Sequence, residues 1–217
     1  MSDPTSSTGS SPRRRRRTGT YRAADGRRSC IIDCATRLFS EHGYHSTSLS
    51  RIATEAGTSQ AALLHHFKTK ESLLLAVLRT SDLRQAGRFG SAELGLRRLA
   101  LDIVDAVAAD TDSPGLARLF VVIASEATAA DHPAHEYFRN RYRLILSHNA
   151  AAIRASVDDG SVHPETDVDA LARDITATAD GLKFQWLLSS DFDLPGQLRQ
   201  RLDLIVRAVS RDGRGLS

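Results

Sequence analysis

The chain has 217 residues, of which 41% are hydrophobic and 25% charged, and these are the proportions of an ordinary globular protein with its own core. They exclude a fibrous repeat and a wholly disordered chain. The charge is uneven: residues 1–22 hold six Arg against one Asp, whereas residues 71–217 hold 17 basic and 21 acidic residues. A basic N-terminal part on an acidic remainder is expected when one end of a protein meets a polyanion.

The cysteines and the apolar runs predict the compartment. Cys30 and Cys34 are too few and too close together for a disulfide framework or a four-ligand zinc site. No run approaches the roughly 18 apolar residues that a membrane span needs, and the arginine run 13–17 is not followed by the apolar segment of a signal peptide. The sequence therefore predicts a cytoplasmic protein that does not enter a membrane and carries no metal or other cofactor.

The N-terminal part begins with a polar segment and then becomes helical. Residues 1–22 are predicted to form a disordered basic arm, because Ser, Thr, Gly, Pro and Arg offer almost nothing to bury. From Ala24 onwards apolar residues recur at helical spacing without an alternating strand pattern. The first helices are predicted at 24–42, 48–55 and 60–66, and a fourth begins after the capping hydroxyl of Thr69 and runs toward Gly87.

Five longer amphipathic stretches follow Gly90 and are separated by turn residues. Their apolar rows begin at Leu96, Leu116, Phe138, Leu171 and Leu198. The predicted fold is therefore all-α with about nine helices: an N-terminal three-helix domain followed by a C-terminal helical bundle.

The segment from Ser46 to Phe67 has the spacing of a helix-turn-helix. Ile52 and Leu63 are placed to pack the two helices together, and Gly57 lies where a tight turn must connect them. The second helix is then exposed and short enough to enter a major groove of about 12 Å. We therefore divide the chain into a helix-turn-helix DNA-binding domain at 23–68, a connecting fourth helix at 69–90 and a second domain at 91–212.

Between Arg28 and Leu78 the sequence holds a series of spaced landmarks, namely Ala35, Leu38-Phe39, Gly43-Tyr44, Thr47, Ile52-Ala53, Ala56-Gly57, Ser59, Leu63, His66-Phe67 and Lys70-Glu71. With these landmarks it resembles the DNA-binding domain of the tetracycline-repressor (TetR) family. It departs at Ala61, where Gly is usual, and at Leu64, where a phosphate-contacting Tyr is usual. The resemblance implies a homodimeric transcription regulator, by family default a repressor that leaves a palindromic operator when a small molecule binds.

The resemblance also implies which residues contact double-stranded DNA. An amide side chain can pair bidentately with adenine, and an alanine methyl can lie against a thymine methyl. The alternative role for Thr47 and Ser59 is helix capping alone. The alternative role for the adjacent His65 and His66 is metal binding. The predicted phosphate contacts are Thr47, Ser59, His66 and Lys70, and the predicted base contacts are Gln60, Ala62 and His65. The arginine run Arg13, Arg14, Arg15, Arg16 and Arg17 is predicted to contact phosphate or the minor groove, unless it is only a solubilising tail.

In the second domain the resemblance implies a pocket between helices five and eight and a dimer formed by the last two helices. For the aromatic candidates the alternative is an ordinary place in the core. The predicted pocket residues are Ile103, Phe120, Phe138, Tyr142, Asn149, Thr178, Gln185 and Trp186.

Three other functions are alternatives to this one. The sequence has no Gly-rich phosphate loop, no HExxH and no GxSxG, so no catalytic residues are predicted. A DNA-binding regulator without a small-molecule ligand, controlled by a protein partner or by abundance, should have a second domain without a cavity. A helical carrier or chaperone would leave the basic N-terminal part and the turn spacing unexplained.

Overall fold

The computed structural model describes residues 15–86 and 90–216, with side chains from Gly26 onwards. In this part of the chain there are nine α-helices, and a short 3-10 helix precedes the fifth. The predicted all-α class is confirmed. The helices are α1 (Arg15–His42), α2 (Leu49–Glu55), α3 (Gln60–His66), α4 (Lys70–Ala86), α5 (Gly95–Thr111), α6 (Pro114–Glu126), α7 (His135–Asp158), α8 (Val168–Ser189) and α9 (Leu194–Val209).

Helix α1 ends as predicted but begins earlier than predicted. It continues back to Arg15, so the disordered arm predicted over 1–22 is wrong from that residue onwards. No proline follows Pro12 before the helix, and Arg and Ala are good helix formers, so an anchored helix can extend into polar sequence. Arg13 and Arg14 lie outside the described residues, as do the side chains of the other three arginines of the run. The predicted contacts of that run remain predictions.

The helix-turn-helix forms around the residues that its spacing indicated. Ile52 and Leu63 are fully buried, and Ala53 is 2% exposed between the two helices. Gly57 has a φ of +62° in the turn, a conformation that glycine adopts without a Cβ penalty. The Leu63 side chain therefore holds α3 against the domain and leaves the opposite face of α3 open.

The hydrophobic residues form two clusters that do not follow the predicted division of the chain. The first contains the core of α1–α4 together with Leu119 and Ile123 of α6 and Phe138 of α7. The second is built from α5, the C-terminal half of α7, α8 and α9. The DNA-binding head, α1–α3, thus shares its core with α6.

Helix α6 contacts the head at both of its ends. At its start, Gly115 lies against the backbone of Ser40 in α1. At its end, Glu126 accepts a hydrogen bond from His45, which lies in the loop before α2. The distance between Glu126 Oε1 and His45 Nε2 is 3.0 Å. The second part of the molecule is therefore joined to the head by direct contact as well as through α4. No helix in the described ranges is long and apolar enough to cross a membrane.

Candidate nucleic-acid interface and ligand cavity

Helix α3 presents a short polar face. Ser59 caps it, because its side-chain oxygen accepts the Ala62 N–H at 3.1 Å. Gln60 and His65 are exposed, whereas Ala62 is half-buried. A helix of this size with a glutamine and a histidine directed outward can offer an amide and an imidazole to base edges in a major groove. The capping alternative is realised for Ser59, and its exposed hydroxyl can still donate to a phosphate.

The structure places Thr47 inside the head. Its side chain is fully buried, and its hydroxyl donates to the carbonyl oxygens of Leu38 at 3.3 Å and Gly43 at 2.8 Å. The predicted phosphate contact of the Thr47 hydroxyl is therefore wrong, because that hydroxyl is used within the protein. It does not cap α2 either: the N-cap is Ser48, which accepts the Arg51 N–H at 3.2 Å.

Lys70 is held against the loop that precedes α2. Its Nζ donates to the His45 carbonyl oxygen at 3.2 Å and lies 4.4 Å from the centre of the Tyr44 ring. Burial lowers the pKa of Lys70 from its ordinary value. The ammonium group thus links α4 to the same loop that α6 contacts through Glu126.

Sequence reasoning passed over polar residues at the start of α2. Ser48, Ser50 and Arg51 are all exposed there, and the Arg51 guanidinium lies 2.7 Å from His42 Nε2. The signal was available, because a serine at the first non-helical position is the preferred N-cap. Because Thr47 is a landmark of the family, the capping role was assigned to Thr47, one residue before the actual N-cap Ser48.

A cavity of about 600 Å³ lies between α4, α5, α7 and α8. Of the predicted pocket residues, Ile103 and Asn149 line it. Asn149 is 3% exposed, and its Nδ2 donates to Thr176 Oγ1 at 3.1 Å. The cavity is thus bordered by the connecting helix α4, while α6, expected among its walls, is not a lining helix.

The other six predicted pocket residues lie elsewhere. The aromatic candidates Phe120, Phe138 and Tyr142 line a separate cavity of about 50 Å³ beside the large one. Thr178 is two positions after Thr176, which lines the large cavity, and two positions correspond to roughly 200° of rotation around a helix. The Thr178 hydroxyl instead donates to the Asp174 carbonyl oxygen.

Gln185 and Trp186 are likewise outside the large cavity. Gln185 is exposed, and Trp186 packs against the second hydrophobic cluster. These six predicted pocket residues are therefore absent from the lining of the large cavity. The reason is that an apolar row on a buried helix can face either the core or the cavity, and the spacing alone does not distinguish the two.

The cavity carries charged groups that are paired within its wall. The Asp82 carboxylate accepts a hydrogen bond from the Tyr137 hydroxyl and pairs with Arg141, with 2.9 Å between Oδ1 and Nε. Lys183 Nζ pairs with Asp110 Oδ2 at 2.7 Å. Because these charges lie partly out of water, each is stabilised by the partner that it touches.

Asp180 has a different partner from the other two lining aspartates. It accepts the hydroxyl of Tyr142 at 2.8 Å, which stabilises the carboxylate but adds no positive charge. Burial, and then the Asp180 charge, raise the pKa of Tyr142 to about 12. Tyr142 therefore remains a donor at neutral pH, and Asp180 keeps an acceptor oxygen for other groups. The apolar part of the wall is formed by Ile103, Ala106, Val107, Leu144, Ile145 and Ala179.

The fold and these sites define a class of protein. An all-α chain with a helix-turn-helix at one end and an amphipathic cavity beside the connecting helix is a transcription regulator that binds DNA. Residues 31–77 match the model for bacterial regulatory proteins of the tetR family, and residues 96–211 match the C-terminal domain of BetI-type transcriptional repressors. The chain belongs to the TetR family.

Individual relatives are more distant. UidR, a transcriptional regulator of Escherichia coli K12, is 27% identical over 138 residues, 64% of this chain and 70% of that protein. KstR2, a transcriptional repressor of Rhodococcus jostii, is 27% identical over 172 residues, 71% of this chain and 76% of that protein. Among solved structures, a transcriptional regulator from Saccharomonospora viridis in complex with choline has a TM-score of 0.70 and 27% identity, covering 85% of this chain and 97% of that one.

Proposed function

We propose that the protein is a cytoplasmic repressor that binds a palindromic operator as a homodimer and is released by a small-molecule effector. The observation that carries the proposal is the cavity of about 600 Å³ beside α4. Only three residues separate the end of α3 from the start of this helix, so one rigid element lies between the effector site and the recognition helix. We propose binding, not catalysis, as its activity.

The cavity also separates this proposal from the ligand-free alternative. That alternative calls for a filled second domain, whereas the second part of the molecule holds a space of ligand size with apolar walls and a few polar groups. The Saccharomonospora relative was solved with choline, and the Rhodococcus relative is named a repressor. Both names support a repressor with a small ligand.

The lining describes the kind of effector that fits. Ile103, Val107 and Ile145 provide an apolar wall, and Asp180, Asn140 and His148 lie among the polar groups of the lining. A small amphipathic molecule would bury its apolar part against the first set and direct hydrogen-bonding groups to the second.

Exposed apolar residues on the last two helices support the homodimer. Phe184 and Leu188 on α8 are 52% and 74% exposed, and Leu204 on α9 is 56% exposed. Large apolar side chains exposed on neighbouring helices favour association, and a two-fold axis would pair each helix with its copy as a four-helix bundle. Such a dimer presents two recognition helices to successive major grooves about 34 to 36 Å apart, and the operator is then a near-palindrome.

The mechanism follows from where the cavity lies. An effector that displaces α4 would change the separation of the two α3 helices and so disturb their fit to both grooves. Contacts between α6 and the head provide a second path for the same displacement, in addition to the covalent one through α4. By linkage, an effector that weakens operator binding must itself bind less tightly to the DNA-bound dimer.

Selection of bound genomic fragments tests this function most directly, because it yields the operator and, from the neighbouring genes, the effector class. We expect near-palindromic sites, and full affinity for an isolated half-site would contradict the dimer model. Effector candidates are then scored by release of a labelled fragment. Release of the labelled fragment is a more direct signal of effector binding than the fluorescence of Trp186, because Trp186 lies outside the cavity lining.

A cavity-filling variant, compared with a matched surface variant as control, tests whether the cavity is the effector site. Ala179→Leu should leave operator affinity intact and abolish release, because Ala179 lines the cavity. Ala151→Leu, on the exposed surface of α7, should behave as wild type. Equal release from all three proteins would show that the cavity is not the effector site.

A further inference from the structure

A groove separate from the large cavity runs along one face of α4. It has a volume of about 470 Å³ and lies between α1, the turn after α3 and α4. Phe67 and Ala76, both less than 9% exposed, contribute apolar surface to its floor. The full lining is Arg28, His66, Phe67, Lys68, Ser72, Ala76, Arg79, Thr80 and Leu83.

The groove is one-sided in charge. Its lining includes Arg28, Lys68, Arg79 and the imidazole of His66, and it includes no acidic residue. None of these four side chains forms an ion pair with another residue in the described part of the chain. The Arg28 guanidinium instead lies 5.0 Å from the centre of the Phe67 ring. Like charges gathered without counter-charge repel one another, and a bound anion relieves that repulsion.

We propose that this groove binds a phosphate group and that its physiological source is the DNA backbone beside the recognition helix. Two guanidinium groups can each grip phosphate oxygens with two parallel hydrogen bonds, and Lys68 adds a point charge. The groove begins at His66, the last residue of α3, so a duplex that receives α3 brings its phosphates to this end of the groove. The DNA contact thereby extends beyond the helix-turn-helix to Arg28 and Arg79.

Arg79 gives the groove a second consequence. It lines this groove and also the large cavity on the other side of α4. One guanidinium cannot serve both sites fully at once, so a ligand that engages Arg79 in the cavity weakens the phosphate contact. This part of the inference rests on the proposed effector cavity, whereas phosphate binding in the groove does not.

The test measures binding of the full chain to a short random-sequence duplex as a function of salt. Arg28→Ala and Arg79→Ala should each reduce the slope of log affinity against log salt by about 0.9, the value for one lost phosphate contact on duplex DNA. Arg154→Ala, which removes an exposed arginine of α7 far from the head, is the matched control and should keep the wild-type slope. Because random DNA needs neither operator nor effector, this result is independent of the proposed release mechanism.

A second arm, with pyrophosphate as the probe, distinguishes the two sources of phosphate. If the groove serves a free phosphate-bearing molecule instead, pyrophosphate raises the melting temperature of wild type but not of Arg79→Ala, and the DNA salt slopes stay equal. Phosphate binding is then upheld and the DNA source is rejected.

Unchanged slopes together with no protection by pyrophosphate would overturn the proposal, as would an equal loss of slope in Arg154→Ala. If Arg28→Ala unfolds because it loses its packing on Phe67, Lys68→Ala replaces it, because that side chain is exposed.

Discussion

Gly115 of α6 lies so close to Ser40 of α1 that no side chain fits between the two helices. A Cβ atom on Gly115 would lie 2.6 Å from the Ser40 carbonyl oxygen, closer than real Cβ contacts allow. We expect Gly115→Ala to force α6 away from the head and to lower the free energy of unfolding by about 1 to 3 kcal/mol, the usual cost of overpacking. Urea denaturation of wild type and variant measures the difference.

Gly26→Ala is the matched control for that substitution. Gly26 also lies in α1, and a Cβ there would meet nothing within 4 Å. Alanine is favoured over glycine inside a helix by roughly 0.5 to 1 kcal/mol, so this variant should be as stable as wild type or slightly more stable. Similar losses in both variants would show that the contact between Gly115 and Ser40 is not what matters.

Thr47 and Ser48 should separate stability from DNA contact. Thr47→Val removes a buried hydroxyl that donates to two carbonyl oxygens and should lower the free energy of unfolding by about 1 kcal/mol. Its DNA salt slope should stay at the wild-type value, because this hydroxyl faces away from solvent. A flatter slope would restore the phosphate assignment.

Ser48→Ala is the complementary variant. It removes the N-cap of α2 at a cost of about 1 kcal/mol and, unlike Thr47→Val, removes an exposed hydroxyl at the start of the helix-turn-helix, where it can donate to a phosphate. We expect a weaker affinity for every DNA sequence without a change in sequence preference. An unchanged affinity would restrict Ser48 to capping.

Gln60 and His65 should determine sequence preference. Each is exposed on α3, so truncation removes a potential base contact without disturbing the core. Gln60→Ala and His65→Ala should change the ranking of operator variants by about 1 to 3 kcal/mol at the base pairs they read. Competition among single-base operator variants measures this change. Uniform weakening across all variants would reassign both residues to the DNA backbone.

Tyr142 makes the stability of the protein depend on alkaline pH. Its pKa rises from the ordinary 10 to about 12, because burial and the Asp180 charge favour the neutral phenol. The folded state therefore holds this proton more tightly than the unfolded state. The stabilisation is complete below pH 10 and is lost as the pH rises through about 12.

Tyr142→Phe should make the free energy of unfolding fall less steeply across that range. The phenolate absorbance that appears near pH 12 should also be smaller in the variant, and the remainder there belongs to Tyr44, whose pKa burial also raises to about 12. Identical slopes of stability against pH in the two proteins would mean that Tyr142 ionises at its ordinary value.

Most of the fold could be predicted from the sequence, because helix positions depend on local information. The helix-turn-helix was predicted from the spacing of Ile52 and Leu63 and from the turn that Gly57 permits. The structure confirms it, because both apolar residues are buried and Gly57 has a positive φ. The start of α1 was misplaced because helix formation in a polar segment leaves no apolar period to detect.

The cavity was harder to predict, because its chemistry depends on long-range pairs. Asp82 and Arg141 meet across two helices that are far apart in sequence, and no local pattern marks either residue. Apolar rows on α5 and α7 did identify Ile103 and Asn149. On α8, Thr176 and Thr178 lie on different faces of the helix, and only the packing against α7 decides that the Thr176 hydroxyl meets Asn149.

The hydrophobic cluster shared by the head and α6 limits how such regulators can be recombined. A hybrid that grafts this head onto another effector domain at the loop before α5 would strip Leu119, Ile123 and Phe138 from its core. It would also bring an unmatched surface against Ser40, where only glycine fits. Successful exchange of DNA specificity therefore requires either carrying α6 and the start of α7 with the head or replacing only the exposed residues of α3.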